Sequence, residues 1–226
     1  MFGIFKKKNQ NKPAEKDEAE QVSAEGLNEP QWYEAGVGNP FNERILDIRT
    51  ITLNMMATTK EKWISENFTQ SRSDNGEKYT DSEIDEATAF PCDIHYPHNG
   101  ATLEGVVFKS DSMDVKWDIY AYGAWFYFVR SWTSELVYKV HYQNMGNELI
   151  FDRIVTANPG SGELHAQNIH SMMLTHVLGR VWPYRIPDEL KGKNETDIAL
   201  YLFTQFGCKA TLATDANILK IQLEKR

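Results

Sequence analysis

Cysteine is scarce in this 226-residue chain, which contains only Cys92 and Cys208. The two residues are far apart and neither belongs to a C-x-x-C motif, so the sequence suggests neither a disulfide framework nor a structural zinc site. Free cysteine is often a core residue, and we expect two reduced and mostly buried thiols. The sequence predicts neither a metal site nor a cofactor.

Long apolar runs are also lacking, since no segment approaches the roughly 20 apolar residues that span a bilayer. The opening residues, MFGIFKKKNQNK, do not form a signal peptide, because their apolar part is short and the lysines follow it. We therefore expect a cytoplasmic protein. Residues 2–8 leave contact with an anionic membrane surface as a minor alternative, because stable anchoring usually needs a second signal.

Basic residues are outnumbered, with 24 lysines and arginines against 32 aspartates and glutamates and a formal net charge of −8. Such a charge repels phosphate backbones, so we expect no nucleic-acid partner. The chain is 41% hydrophobic and 25% charged, which is ordinary for a soluble globular protein. Its length allows a sizeable core.

The first thirty residues differ in composition from the rest of the chain. Residues 6–29 mix Lys, Glu, Gln, Asn and Ala without an aromatic residue, and they offer too little apolar area to offset the entropy of ordering. The sequence therefore predicts a disordered, flexible polar tail over 1–30 and a single α+β domain over 31–226.

Strand patterns dominate the predicted domain and alternate with a few helix patterns. Residues 43–56 alternate like a strand, 90–114 read as edge strands, 148–158 as a further strand, and 208–224 as a final hairpin. Helices are predicted from about 164 and from about 197, ending at Gly179 and Gly207. The pattern indicates an α+β fold whose largely antiparallel sheet has a central aromatic meander, with two to three helices packed on it.

The stretch WDIYAYGAWFYFVRSWTSELVYKVHY, residues 117–142, forms the centre of this meander. A two-residue turn at Gly123-Ala124 predicts a hairpin register in which Trp117 faces Arg130. Strand alternation then places Arg130 on the apolar face of the hairpin, near Phe128.

The next strand joins that face only if the loop around residues 134–135 has an odd number of residues. A two-residue turn would set Lys139 opposite Arg130, and like charges there are unfavourable. We expect the odd loop, although no residue in it is suited to a positive φ. The apolar set of this strand is Leu136, Tyr138, Val140 and Tyr142.

Arg130 needs a partner on this apolar face because its guanidinium cannot lose its proton. Stacking on tryptophan contributes about 0.5–2 kcal/mol, whereas an unpaired buried charge costs several kcal/mol. Two interpretations remain open. The guanidinium is either stacked and salt-bridged as a structural tie, or it lies at the mouth of an aromatic pocket and holds a carboxylate or phosphate.

The histidines offer further candidate chemistry. On a helical wheel His170 lies within the apolar stripe of the helix that begins near 164, whereas His165 and His176 lie at its edge. His170 fits a satisfied core histidine better than a general base. His95 and His98 form an H-x-x-H pair across a proline, which favours surface-loop histidines over metal ligands.

We expect a non-catalytic binding domain that receives a protein partner or a small anionic ligand near Arg130. The meander carries more Tyr and Trp than one core needs, and such residues are enriched at interfaces. The alternative is an enzyme in which Arg130 clamps an anion while His170 or His141 acts as acid or base. The candidate ligand-binding residues are Arg130, Trp132, Trp117, Tyr138 and His170.

Overall fold

Two sheets and four α-helices make up the part of the chain that the computed structural model describes, residues 29–36 and 38–224. The predicted tail lies outside these residues apart from Glu29 and Pro30. In chain order the elements are β1 Gln31–Tyr33, β2 Ile45–Asp47, α1 Arg49–Thr52, α2 Lys62–Ser71, β3 Thr88–Pro97, β4 Gly105–Phe108, β5 Trp117–Tyr122, β6 Trp125–Arg130, β7 Leu136–Asn144, β8 Glu148–Thr156, α3 Gly162–Met172, β9 Pro183–Arg185, α4 Glu195–Phe206 and β10 Leu212–Thr214.

The larger sheet has six strands in the order β3-β8-β7-β6-β5-β4, and every neighbouring pair is antiparallel. The smaller sheet has the order β1-β2-β10-β9, in which only β10 and β9 are parallel. The predicted α+β class with a largely antiparallel sheet and a central aromatic meander is therefore confirmed. None of the described helices is long and apolar enough to cross a membrane.

The hairpin register predicted for the meander is confirmed at each of its central pairs. Trp117 pairs with Arg130, Ile119 with Phe128, and Ala121 with Phe126. Gly123 has a φ of 58°, as the first turn residue requires. Local turn chemistry and strand alternation therefore fix which face carries the guanidinium.

The connection from β6 to β7 places the third strand in the predicted orientation. Phe128 pairs with Tyr138, and a bulge follows before Val129 pairs with Leu136. Ser134 adopts a φ of 57° in this loop, a conformation that costs a non-glycine residue free energy. One detail of the prediction is wrong. Strand alternation predicts Leu136 on the same face as Tyr138, but the bulge turns it to the outer face of the sheet.

Two local predictions are wrong, the first because of a local turn and the second because of strand pairing between residues distant in sequence. Residues 43–56 do not form one strand, since the Asp47 side chain accepts a hydrogen bond from the Arg49 backbone N–H (3.0 Å) and α1 follows. The predicted final hairpin is absent from the described residues. Instead β10 inserts between β2 and β9, and Ile218–Lys220 is a 3₁₀ turn capped by Asn217.

Helix α3 lies between the two sheets, in contact with β3 and β8 of the larger and with β9 of the smaller. Ser161 caps its N-terminus by accepting the Leu164 backbone N–H (3.2 Å). Its C-terminal end continues as a π-helical turn over Met173–Val177. One hydrophobic cluster joins the inner face of the larger sheet, α3, α4 and the smaller sheet. The division into a tail and a single domain stays a prediction.

The outer face of the meander is covered by residues 72–87. Tyr79 stacks on Tyr120, with ring centroids 5.7 Å apart, and its hydroxyl donates to the Ser134 carbonyl (3.2 Å). Gly76 has a φ of 86° and lies so close to Tyr120 that a Cβ would overlap the ring. The close contact between Gly76 and Tyr120 holds the covering segment against the sheet.

Gly76→Ala is expected to destabilise the fold far more than Gly146→Ala. Both glycines have nearly the same φ, 86° and 90°, but a Cβ on Gly146 would meet nothing within 4 Å. The control should lose about 1 kcal/mol from backbone strain alone, and Gly76→Ala on the order of 3 kcal/mol because the ring must also move. Urea unfolding of both variants measures the difference. Equal losses would show that the contact with Tyr120 contributes nothing.

Candidate functional site

The guanidinium of Arg130 meets the C-terminal end of α4. Its Nη1 donates to the Gln205 carbonyl (2.7 Å) and its Nη2 to the Thr204 carbonyl (3.1 Å). The Trp117 indole also donates to Gln205 (2.7 Å), and its ring lies 4.9 Å from the guanidinium carbon. Two residues that face each other in the hairpin therefore hold the same helix terminus.

A helix C-terminus carries a partial negative charge and carbonyls that lack intrahelical partners, so a cation there is stabilising. Burial lowers the pKa of Arg130, opposed by Glu135 and Tyr138, yet an arginine keeps its charge at any ordinary pH. Among the described residues no carboxylate lies within 4 Å of Arg130. The acceptor of the Arg130 guanidinium is therefore a helix terminus and not an acidic side chain.

A cleft of about 420 Å³ opens beside this contact. Its volume falls in the range of small-molecule sites, and polar and charged side chains line it alongside apolar and aromatic ones. Side chains one helical turn apart on α4 form one wall. The lining residues are Trp117, Arg130, Glu135, Val137, Tyr138, Asn158, Pro159, Leu164, His165, Asn168, Arg185, Pro187, Glu189, Tyr201, Leu202, Gln205 and Phe206.

Arg185, at the end of β9, brings a second guanidinium to the cleft. Its Nη2 makes a long contact of 3.3 Å with Asp188, a side chain that is 80% exposed. Its Nη1 is buried and has no hydrogen-bond partner among the described residues. A buried charged donor without an acceptor is costly, so Nη1 of Arg185 is an unsatisfied group among the described residues.

His165 is the most buried polar residue of the cleft, with 1% of its surface exposed. It packs against Phe90 and Tyr138, with ring centroids at 5.1 and 5.7 Å. Neither ring nitrogen makes a hydrogen bond of ordinary geometry to a described residue. Burial lowers the pKa of His165, opposed by the backbone of Asn158, so the ring is neutral at pH 7 and offers one donor and one acceptor.

Tyr138 lines the cleft, and its ring contacts that of His165. Burial raises the pKa of its hydroxyl, while hydrogen bonds with the side chains of Asn158 and Asn168 and the charge of Arg130 oppose that rise. The phenol therefore stays protonated at neutral pH. It contributes a fixed polar group at the centre of an aromatic surface.

The structure brings three of the five predicted site residues together, since Trp117, Arg130 and Tyr138 all line the cleft. Trp132 lies elsewhere, with its indole donating to the Met113 carbonyl (2.7 Å) and Lys116 Nζ 3.8 Å above its ring.

His170 also lies outside the cleft. Its Nδ1 is 3.0 Å from the Tyr96 hydroxyl, and burial lowers its pKa to about 4. His141, which the enzyme alternative invoked, lies on the opposite face of the sheet and pairs with Asp152 at 2.7 Å. The geometry therefore brings neither histidine to the cleft with Arg130.

Sequence reasoning missed Arg185, Asn158 and Asn168, and it placed His165 at the edge of the helical stripe. His165 and His176 are in fact 1% and 3% exposed, whereas His170 is only half-buried. The helical wheel assumed one buried face, but α3 is enclosed by both sheets. The one available signal was the Asn158-Pro159 connector, which must return the chain from β8 to α3 at the end of the sheet that carries Arg130.

No three or more His, Cys, Asp or Glu side chains of the described residues are placed to hold a metal ion. Comparisons with protein-family models, with curated proteins and with solved structures find no significant match for the chain. The function is therefore argued from the cleft itself.

Arg130→Ala is expected to lower the free energy of unfolding by on the order of 3 kcal/mol, because two charge-assisted hydrogen bonds to α4 are lost. Arg130→Lys should lose less, since it keeps the charge without the planar fork. Arg153→Ala is the matched control, an exposed arginine whose guanidinium carbon lies 5.1 Å from the Trp125 ring. Guanidinium chloride unfolding compares the three. A loss in Arg130→Ala no larger than in the control would contradict this role.

The buried histidines should make the fold less stable in acid. Burial lowers the pKa of His170 to about 4 and that of His176 to about 3, so between pH 6.5 and these values the unfolded chain binds more protons. Each histidine should remove on the order of 2 kcal/mol between pH 7 and pH 5. Thermal unfolding of His170→Gln across this range should show a shallower loss than wild type.

His95 supplies the control of opposite sign for that experiment. Hydrogen bonds to Asp93 and Glu148 raise its pKa, so its contribution is present in acid and is lost as the pH rises. His95→Gln should therefore steepen the acid loss that His170→Gln makes shallower. Parallel profiles for the two variants would mean that His170 is not held neutral by burial.

Proposed function

We propose that this chain is a non-catalytic binding protein that receives a small organic anion in the cleft beside Arg130. The observation that carries the proposal is the pair of guanidinium side chains, Arg130 and Arg185, that line one cleft, with no described carboxylate within 4 Å of Arg130 and no described partner for Nη1 of Arg185. Buried donors of folded proteins are normally paired, and an anionic ligand supplies the acceptor that the described chain does not.

The two arginines suit an anion for complementary reasons. Arg130 gives two of its five N–H groups to α4 carbonyls, which orients its planar fork without using all of its donors. Arg185 keeps Nη1 free of any described partner. Carboxylates and phosphates accept two parallel hydrogen bonds from such a fork, and that geometry gives specificity as well as affinity.

Binding is favoured over catalysis by the chemistry of the lining. The cleft contains no serine, threonine or cysteine among the described residues that line it. Burial raises the pKa of Tyr138 and Tyr201, which keeps both phenols protonated. These groups can recognise and orient a ligand, but nucleophilic catalysis would need an activated attacking atom.

The concave shape also favours a small ligand over a protein partner, the other class of partner expected from the sequence. Protein interfaces of ordinary size bury about 800 Å² on each side and are broad. A concave cleft lined by Trp117, Tyr138 and Phe206 instead suits a compact molecule with an apolar part.

Arg185→Gln should reduce ligand-induced stabilisation strongly while leaving the fold intact. A thermal-shift panel of inorganic phosphate, nucleotides, alkanoates and dicarboxylates should stabilise the wild type by RT ln(1 + [L]/Kd). Loss of one charged hydrogen-bonding partner should weaken binding by about tenfold to a hundredfold. Isothermal titration of the best anion with the wild type and Arg185→Gln gives Kd directly.

Arg153→Gln is the control, because Arg153 is an exposed arginine that contacts Trp125 on the outer face. It should bind the anion as the wild type does. Equal affinity of all three proteins, or a panel in which no anion shifts the wild-type melting temperature, would refute the proposed function.

A further inference from the structure

The charged residues of the cleft are balanced, two arginines against two glutamates. Arg130, Arg185, Glu135 and Glu189 line the same cavity, so their formal charges cancel. The cleft is therefore not a simple cationic pocket. A ligand that matches it should carry both signs as well.

The two signs are separated by depth. Arg185 has 16% of its side chain exposed and Arg130 is half-buried, whereas both glutamates are exposed. Neither glutamate forms an ion pair within 4 Å with a described residue. The interior of the cleft is therefore cationic, and its rim carries carboxylates that stay available for a ligand.

Glu135 is tied to Arg130 by a backbone hydrogen bond, and Glu189 lies close to Arg185 in the chain. The Glu135 carbonyl accepts the Arg130 backbone N–H (2.9 Å), which fixes Glu135 beside the guanidinium, and its charge raises the pKa of Arg130 against the effect of burial. Glu189 belongs to the 3₁₀ turn Asp188–Leu190, which follows Arg185 closely in the chain. The rim carboxylates are thus built into the same segments as the interior cations.

We propose that the ligand is dipolar, with an anionic head held by Arg130 and Arg185 and an ammonium group held at the rim by Glu135 and Glu189. The inference rests on the proposed function and specifies the class of ligand. The half-buried Leu164 also lines the cleft and offers apolar surface to a connecting chain.

The rim also disfavours the other charge classes. A dianion or polyanion would place its second charge against Glu135 and Glu189, and a simple amine would have to meet two guanidinium groups in the interior. Like charges brought together in a partly dehydrated cleft are repulsive, so the arrangement selects against both classes.

The test compares ω-amino carboxylates of four, six and eight carbons with the alkanoates and alkylamines of equal length. At the best length the amino carboxylate should bind the wild type about tenfold more tightly than the alkanoate, since two exposed ion pairs each add a modest amount. Isothermal titration measures each Kd. In Glu135→Gln/Glu189→Gln the two ligands should bind equally.

Glu104→Gln is the matched control, an exposed glutamate outside the cleft lining, and it should keep the tenfold preference. Equal affinity of amino carboxylates and alkanoates in the wild type would overturn the dipolar ligand but leave anion binding standing. If the double variant still prefers amino carboxylates to alkanoates, Glu135 and Glu189 do not recognise the ammonium group and the inference is overturned. If neither class binds, or if amines bind as tightly as alkanoates, the proposed function falls together with this inference.

Discussion

The contact between Arg130 and the last carbonyls of α4 is the constraint on which the rest of the site depends. It fixes the end of a twelve-residue helix against the paired strands β5 and β6, and Trp117 reinforces it by donating to the same carbonyl. The helix then presents Tyr201 and Leu202, with Gln205 and Phe206 one turn later, to the cleft. Without this anchor neither the wall nor the orientation of the guanidinium would be defined.

The face that carries Arg130 could be predicted from sequence because a hairpin is a local structure. The Gly123-Ala124 turn sets the register, and strand alternation then decides on which face the Arg130 side chain lies. The acceptor could not be predicted in the same way. The carbonyls of Thr204 and Gln205 lie more than seventy residues away, and backbone acceptors carry no sequence signature.

The same limit explains why only part of the cleft could be predicted. Arg185 comes from a three-residue strand whose partner β10 is parallel, and such a pairing is not visible in local patterns. His165 was placed at an edge because a helical wheel describes one buried face, whereas α3 has a sheet on either side. Trp132 and His170 were grouped with Arg130 by aromatic character and helical position, but other carbonyl and hydroxyl groups satisfy them.

A structural role for Arg130 and a role in binding are compatible because a guanidinium has more donors than a helix terminus can accept. Two N–H groups hold α4, and that bond orients the plane of the remaining donors. Pre-organisation of this kind lowers the entropy that a ligand must lose on binding, since the side chain is already fixed. Arg185 complements it, because its buried Nη1 is stabilised by no described acceptor. The fold thus supplies one arginine that is positioned and one that is unsatisfied, and the proposed anionic ligand would use both properties.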